Sequence, residues 1–326
     1  MNKDMFYPDD FTPVCSADMQ AKKQKLPPPS PSFAKETMTL LRKNKTAVAA
    51  LVVLFVLVLG AVVVPMLSPV GFATQRVAFA NKPFFSQDPV SGVLHIFGTD
   101  HLGRDIFVRI WYGARVSLLV AGVVAVIDCV VGVVYGSISG YFGGVADTIM
   151  MRLVEVISGV PYLIVVLLLM AMLPQGVGTL ILAYTLVGWT GMARLVRVQT
   201  ASLVNQDFIV AARIMGAAPK RMLLRHLVPN MAGVIIVNIT LDIPAIIFTE
   251  AFLSMLGLGV PPPYPSLGAM VNEGVAVFQT YPARLAVPAL FICLVMLAFN
   301  LLGDKLQDTL NPKLRRNVRR GQAIDR

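Results

Sequence analysis

The chain has 326 residues, of which 56% are hydrophobic and only 14% charged, with a net charge of +10 and a mean hydropathy of +0.70. That balance excludes a soluble domain of ordinary composition and describes an integral membrane protein. The cations sit beside apolar runs and not along a basic stripe interleaved with aromatics, so they speak for orientation in a bilayer and against nucleic acid.

Residues 1–31 are polar, with Lys22, Lys23, Lys25 and the run Pro27-Pro28-Pro29. Such a composition cannot bury a core, and the leader is expected to be disordered. From Phe33 to Lys45, Phe33, Leu40 and Leu41 alternate with Lys35, Arg42, Lys43 and Lys45, which reads as a short interfacial helix or as a plain cationic flank. Thr46 to Leu67 is uncharged and long enough, at 1.5 Å per residue, to cross a ~30 Å hydrocarbon core. No small-x-small cleavage site is evident, so it reads as a retained span with the N-terminus in the cytoplasm. A polar segment, 68–114, follows. Further apolar runs fall near 115–137, 153–173, 177–196, 229–256 and 285–303.

The expected fold is therefore all-α and polytopic, with six transmembrane helices over 46–303, a leader 1–45 and a basic tail 304–326. Six spans put both termini on one side. Lys plus Arg number 22 on that side and 6 on the other, and by the positive-inside bias the termini are cytoplasmic.

Ahead of the second span, Gly98-Thr99-Asp100-His101-Leu102-Gly103-Arg104-Asp105 is dense in glycine and charge. It reads as a folded turn on the outer face in which Asp100, Arg104 and Asp105 can pair. Gly132, Gly136, Gly140 and Gly144 then recur every four residues, on one face of a persisting helix, which suits either a tight crossing that moves or simple close packing with a glycine turn. Asp128 and Asp242 lie inside spans, where an aspartate costs ~2.5–3.5 kcal/mol. They either face a water-filled pathway or are protonated and bonded to a neighbouring helix. Arg152 and Glu155, three apart, are expected to neutralise each other. Pro161 is expected to kink its span. Glu250 lies near the outer end of the fifth span, before Leu256-Gly257-Leu258-Gly259 and a proline-rich loop suited to a re-entrant or gate role. Cys15, Cys129 and Cys293 are far apart and form neither a disulfide framework nor a zinc spacing.

The polar, basic stretch between two spans, 197–228, is the most informative. Gln206 to Met215 reads as a short helix, Gly216 as its left-handed stop, and Ala218 to Leu227 as a second helix opened by Pro219. Ala211-Ala212, three residues, Gly216, nine residues, then His226-Leu227-Val228-Pro229 resembles the loop of ABC-importer permease subunits, whose consensus is Glu-Ala-Ala, three residues, Gly, nine residues, Ile-x-Leu-Pro. Val210 stands where the family has Glu and His226 where it has Ile; Asp207, one turn back, is placed to substitute. The segment Gly98 to Asp105, the Leu-Gly-Leu-Gly run with Ser266-x-Gly268-Ala269, and Gly303-Asp304 ahead of Asn311-Pro312 are similar to the C-type subunits of oligopeptide, dipeptide and nickel importers.

The resemblance implies the type I ABC importer permease fold and a role in oligopeptide uptake at the bacterial inner membrane. It also implies a B-type sister permease, two ATPase subunits carrying ATP and Mg, and an extracytoplasmic peptide-binding protein. Docking on the ATPase then falls to Asp207, Ala211, Ala212, Arg213, Gly216, Arg225 and Pro229. The pathway falls to Asp128, Asp242 and Glu250, and the outer motif to Gly98, Thr99, Asp100, Gly103, Arg104 and Asp105. No cofactor or metal is expected on this chain, and no phosphate loop, His-Glu-x-x-His or Gly-x-Ser-x-Gly is present, so it is not expected to be an enzyme. Nickel is the nearer rival cargo, disfavoured because no histidine and no cysteine pair lies in the spans. An ion-coupled carrier would need internal repeats and ion ligands that are not evident, and a membrane enzyme a catalytic constellation within the spans.

Overall fold

A computed structural model describes residues 33–310 apart from Ser91. The polar leader, Cys15, Asn311-Pro312 and most of the basic tail lie outside the described residues. Contacts divide the chain at Leu40/Leu41, and the architecture that follows belongs to the unit from Leu41 onward.

Helix α1, Phe33–Lys43, stops at Asn44, whose Oδ1 accepts from the Thr46 N–H at 3.1 Å and so opens α2, Lys45–Leu67. α2 is apolar all round, as a span must be. A non-helical stretch then holds a single turn of 3-10 helix at Val77–Phe79 and a small hairpin pairing β1, Ser86–Gln87, antiparallel to β2, Leu94–His95.

α3 runs from Ile106 to Phe142, 37 residues, capped by Asp105, whose carboxylate accepts from the Val108 N–H at 3.0 Å. It begins nine residues before the apolar run at 115. Arg109 hid those turns from a hydropathy reading, although Asp100 and Glu273 cancel its charge locally. α4, Gly144–Gly159, and α5, Tyr162–Met172, meet at a 72° bend. The expected kink is thus a full break, at Val160, held extended at φ −87° and ψ 127° by the proline that follows it.

α6 spans Val177–Val204 and α7 Asp207–Ile214. α8 is continuous from Pro219 to Met255, so the second helix of the loop and the fifth span are one element. Pro229 lies inside it. Its ring lacks an N–H for the preceding turn, and the helix widens to π geometry over Met222–Leu227, where Asn230 Nδ2 donates to the His226 carbonyl at 2.6 Å. α9, Leu267–Ala276, and α10, Ala283–Leu310, complete the fold. Among the described residues five helices are long and apolar enough to cross a membrane, and the bent pair α4–α5 brings the number to six if it crosses as one broken span.

The glycine row explains the seam between α3 and α6. A Cβ on Gly132 would meet Met192 Cβ at 2.6 Å, one on Gly136 the Ala193 carbonyl, and one on Gly140 the Arg197 carbonyl at 2.6 Å. The two backbones touch, and only glycine fits. Gly144 takes no part. The pairings rise in step along both chains, so α3 and α6 run parallel. The C-terminal end of α6 leads into the 206–228 loop, with the C-terminal end of α3 beside it (the knob end), and the start of α3 carries the 68–105 segment. The main core joins Ile110, Ala121 and Val124 of α3 to Leu180 and Tyr184 of α6 and Ile247 and Leu253 of α8.

Candidate coupling knob, charged clasp and buried carboxylates

α7 has two faces. Ile209 and Ala212 are buried with Met192, Val196, Met222, Leu227 and Met231, so the knob stands on the ends of α6 and α8 through an apolar base. Arg213 reaches the end of α3, its guanidinium 5.7 Å from the Tyr141 ring centroid. Gly216 has φ +80° and closes α7, and the Ala217 N–H returns to the Ala212 carbonyl at 3.1 Å. Pro219 begins α8 after Ala218.

The other face is open. Ile214 is 82% exposed and Met215 80%, beside exposed Phe208, Val210, Ala211 and Leu224. Val210 therefore points outward from the position where the resemblance expects Glu. Asp207, Arg225 and Pro229 are exposed, and Asp207 pairs with no cation among the described residues. Apolar side chains left this exposed on a basic loop make a patch of the kind that marks interaction sites.

At the opposite end, the 98–105 motif is a folded clasp. Gly98 (φ +72°) and Gly103 (φ +74°) sit so close to the Lys82 and Arg76 carbonyls that any Cβ would clash with backbone. Thr99 Oγ1 donates to the Phe79 carbonyl at 2.6 Å and accepts from the Lys82 N–H at 3.0 Å. Asp100 accepts from the backbone N–H groups of Leu102 and Arg104 at 2.8 and 2.9 Å, from Arg104 Nε at 2.6 Å, and from Arg109 Nη1. Arg109 also grips both oxygens of Glu273 on α9 at 2.8 Å. Burial pushes the Asp100 carboxyl up, but the Arg104 N–H and the Arg109 and Arg104 charges outweigh it and hold it below the usual range.

Asp105 does not join this cluster as expected. It caps α3 and pairs with His95 Nδ1 at 2.6 Å. Asp100, His101 and Glu273 could between them surround a cation, but both carboxylates are already neutralised by guanidiniums, which disfavours one.

Residues 132–316 match the family described as the binding-protein-dependent transport system inner membrane component, and residues 32–88 match the N-terminal TM domain of oligopeptide transport permease C. The chain is 46% identical to the oligopeptide transport system permease protein OppC of Bacillus subtilis over 90% of this chain and 94% of that one. It belongs to this permease family. Identity to the dipeptide transport system permease protein DppC of the same organism is 47%, over 88% of both chains. In fold it is similar to a chain of the MetNI methionine ABC transporter solved in inward-facing conformations. That match has TM-score 0.51 and 16% identity, and covers 61% of this chain and 95% of the other. The family is a transport component of the inner membrane, not a catalytic one.

Within the permease, the three candidate pathway carboxylates part company. Glu250 of α8 is sealed at 1% exposure, accepting from Ser117 Oγ at 2.9 Å and Ser254 Oγ at 3.0 Å. That joins α3 to α8 and seats Glu250 in the packing between them. Asp128 is 8% exposed, packed against the Gly188 backbone, with Oδ1 lacking any hydrogen-bond partner. Asp242 is half-buried and accepts from Asn238 Nδ2 at 2.7 Å, and the two aspartates are near enough to act on each other electrostatically. Asn238 and Leu241 line a cavity of about 370 Å³ between α6, α8 and α10, toward the knob end.

Sequence reasoning missed the ion pairs that tie distant helices of the permease together, two of them above all. Asp147 of α4 receives Arg197 Nε at 2.9 Å and Nη2 at 2.5 Å, plus Ser139 Oγ, and so ties α3, α4 and α6 together beside the knob. Arg109 and Glu273 are the other pair. Partners 50 and 164 residues apart leave no local spacing signal. The local pair, Arg152 with Glu155 at 2.8 Å, forms as read and is exposed.

Proposed function

We propose that this chain is one permease half of an ABC importer that takes up oligopeptides, with the 206–228 knob as its contact to the ATPase. The exposed Ile214–Met215 face of an otherwise basic loop carries this reading. It stands on the permease family to which the chain belongs and on the oligopeptide and dipeptide permeases it is similar to. A B-type permease is the sister half, two ATPase subunits bind ATP and Mg, and an extracytoplasmic binding protein delivers the peptide. The cation bias puts the knob end and both termini in the cytoplasm and the 98–105 clasp outside. The domain division is a leader 1–45, a permease core 46–303 and a basic tail 304–326.

ATP closing the nucleotide-binding dimer draws the knobs together and rocks the two permeases, which opens the pathway outward. Asp128 and Asp242 line that pathway and meet the peptide's ammonium. Asp128 Oδ1 has an acceptor position to offer. With asparagine at both positions, uptake of peptides with a free amino terminus is expected to fall at least tenfold while N-acetylated peptides are unaffected. Equal uptake of both by mutant and wild type would refute that role.

Gly216→Val tests the knob's shape. A Cβ there meets nothing within 4 Å, so the cost is backbone strain alone, about 1–2 kcal/mol. The variant is expected to fold and assemble, yet to hydrolyse ATP with reduced peptide uptake per ATP.

The function itself is tested by reconstituting the affinity-purified complex and measuring ATP hydrolysis with and without peptide-loaded binding protein. Peptide-stimulated turnover with a sister permease and two ATPases present supports the reading. A lone chain with no ATPase overturns it, and stimulation by nickel alone overturns the cargo.

A further inference from the structure

A second cavity, of about 260 Å³, lies at the 68–105 end, between the non-helical segment and the start of α10. Its walls are apolar, formed by Phe84, Phe97, Ile106 and Pro282, and two cations, Lys82 and Arg284, stand in its lining, which contains no carboxylate. Arg284 spends a single nitrogen, Nη2, on the Asn81 side chain at 2.5 Å and the Thr99 carbonyl at 2.9 Å, and its guanidinium lies 4.3 Å from the Tyr281 ring centroid. Among the described residues its Nε and Nη1 donate to nothing, and Lys82 pairs with no carboxylate. Asp100 and Glu273 reach Arg284 only at longer range, and both are already gripped by Arg104 and Arg109.

The position of the cavity matters as much as its charge. α10, one of the helices apolar enough to cross a membrane, begins at Ala283, and Ala283 and Arg284 stand in the cavity lining, so the cavity lies at the end of that helix. Below it an edge-to-face ladder descends through Phe84, Phe97, Phe107, Trp111 and Phe291, with neighbouring centroids 5.2–6.2 Å apart. Trp111 lies over Gly60 of α2. α2 and α10 are the two of the five long helices least enclosed by the rest of the chain. Phe84, in the lining, is itself exposed, as aromatic side chains are at headgroup depth.

We propose that this cavity binds an anionic phospholipid. Its phosphate sits between Lys82 and Arg284, and its glycerol and first acyl carbons lie against Phe84, Phe97 and Ile106. A phosphate offers the acceptor oxygens that a guanidinium and an ammonium lack here, and the apolar walls suit a lipid and not a free ion. The bound lipid would brace the 81–99 segment, and with it the clasp, against the start of α10.

The test is native mass spectrometry of the assembled transporter in detergent, titrated with phosphatidylglycerol or phosphatidylcholine. Phosphatidylglycerol is expected to bind this chain preferentially. Lys82→Gln is expected to weaken that binding about five-fold, the value of one juxtamembrane cation, Lys82→Arg to preserve it, and inorganic phosphate at the same concentrations not to compete. Unchanged phosphatidylglycerol binding in Lys82→Gln overturns the proposal, as does competition by inorganic phosphate. A photoreactive probe on Lys82→Cys that captures the extracytoplasmic binding protein, and no lipid, overturns it in favour of an acidic protein partner.

Discussion

Arg109→Ala is expected to leave little folded protein in the membrane. The side chain is 2% exposed and holds Asp100 and both oxygens of Glu273 at once. Removing one member of a buried charged cluster strands the others, at about 3–5 kcal/mol. A domain whose whole stability is about 5–15 kcal/mol loses a large part of it. The first turns of α3 also lose their tie to α9, so the loss is structural as well as electrostatic.

Graded variants separate these contributions. Arg109→Lys keeps the charge but not the fork and is expected to recover part of the loss. Glu273→Gln is expected to cost less than Arg109→Ala, because that carboxylate is 37% exposed and water can replace its partner. Fluorescence-detected size exclusion of detergent extracts with a thermal ramp reads all three, and a wild-type melting profile for Arg109→Ala would show that the clasp does not hold this end together. The pH response follows in sign. The Asp100 carboxyl is depressed in the fold, so its stabilisation is fully present above its unfolded value near 3.8 and is lost only as pH falls through the lower folded value. The contribution of Asp100 should be unchanged between pH 7 and 5.

The second large effect belongs to the knob. Ile214→Asp with Met215→Asp is expected to leave the permease folded and abundant, since both side chains already face solvent at 82% and 80% exposure. Docking, by contrast, loses two buried apolar side chains at about 1.5–3 kcal/mol each. That amounts to at least a hundredfold in association. Copurification of the ATPase and peptide uptake should both fall below detection while the sister permease remains bound. Ala212→Asp is the control. It buries a carboxylate in the knob's base and is expected to destabilise the chain itself. An Ile214/Met215 double variant that still carries its ATPase would move the coupling contact elsewhere.

Much of this protein is written locally in its sequence. Hydropathy runs and prolines are short-range properties, and so the apolar runs, a kink at Pro161, the knob and its Gly216 turn could all be read from consecutive residues, with Gly216 adopting the positive φ its position calls for. The motif from Gly98 to Asp105 could be recognised but not explained. That Gly103 must be glycine because the Arg76 carbonyl lies against it is a fact about two segments meeting.

Charge partners were the least legible feature. Arg109 with Glu273 and Arg197 with Asp147 are joined by helices packing side by side, and no spacing along the chain encodes those meetings. The same holds for which intramembrane carboxylate is enclosed. Asp128, Asp242 and Glu250 look alike in sequence, each an acid in an apolar run. Only packing separates Glu250, satisfied by hydroxyls of Ser117 and Ser254, from Asp128, left with an open acceptor. That the chain spans the membrane, and where most of its helices stop, follows from consecutive residues alone, because an apolar run and a helix stop act over a few residues. The tertiary structure decided which charges are cancelled and which remain to act, because a charge's energy depends on whatever lies within a few ångströms of it, and that neighbourhood comes from the whole fold.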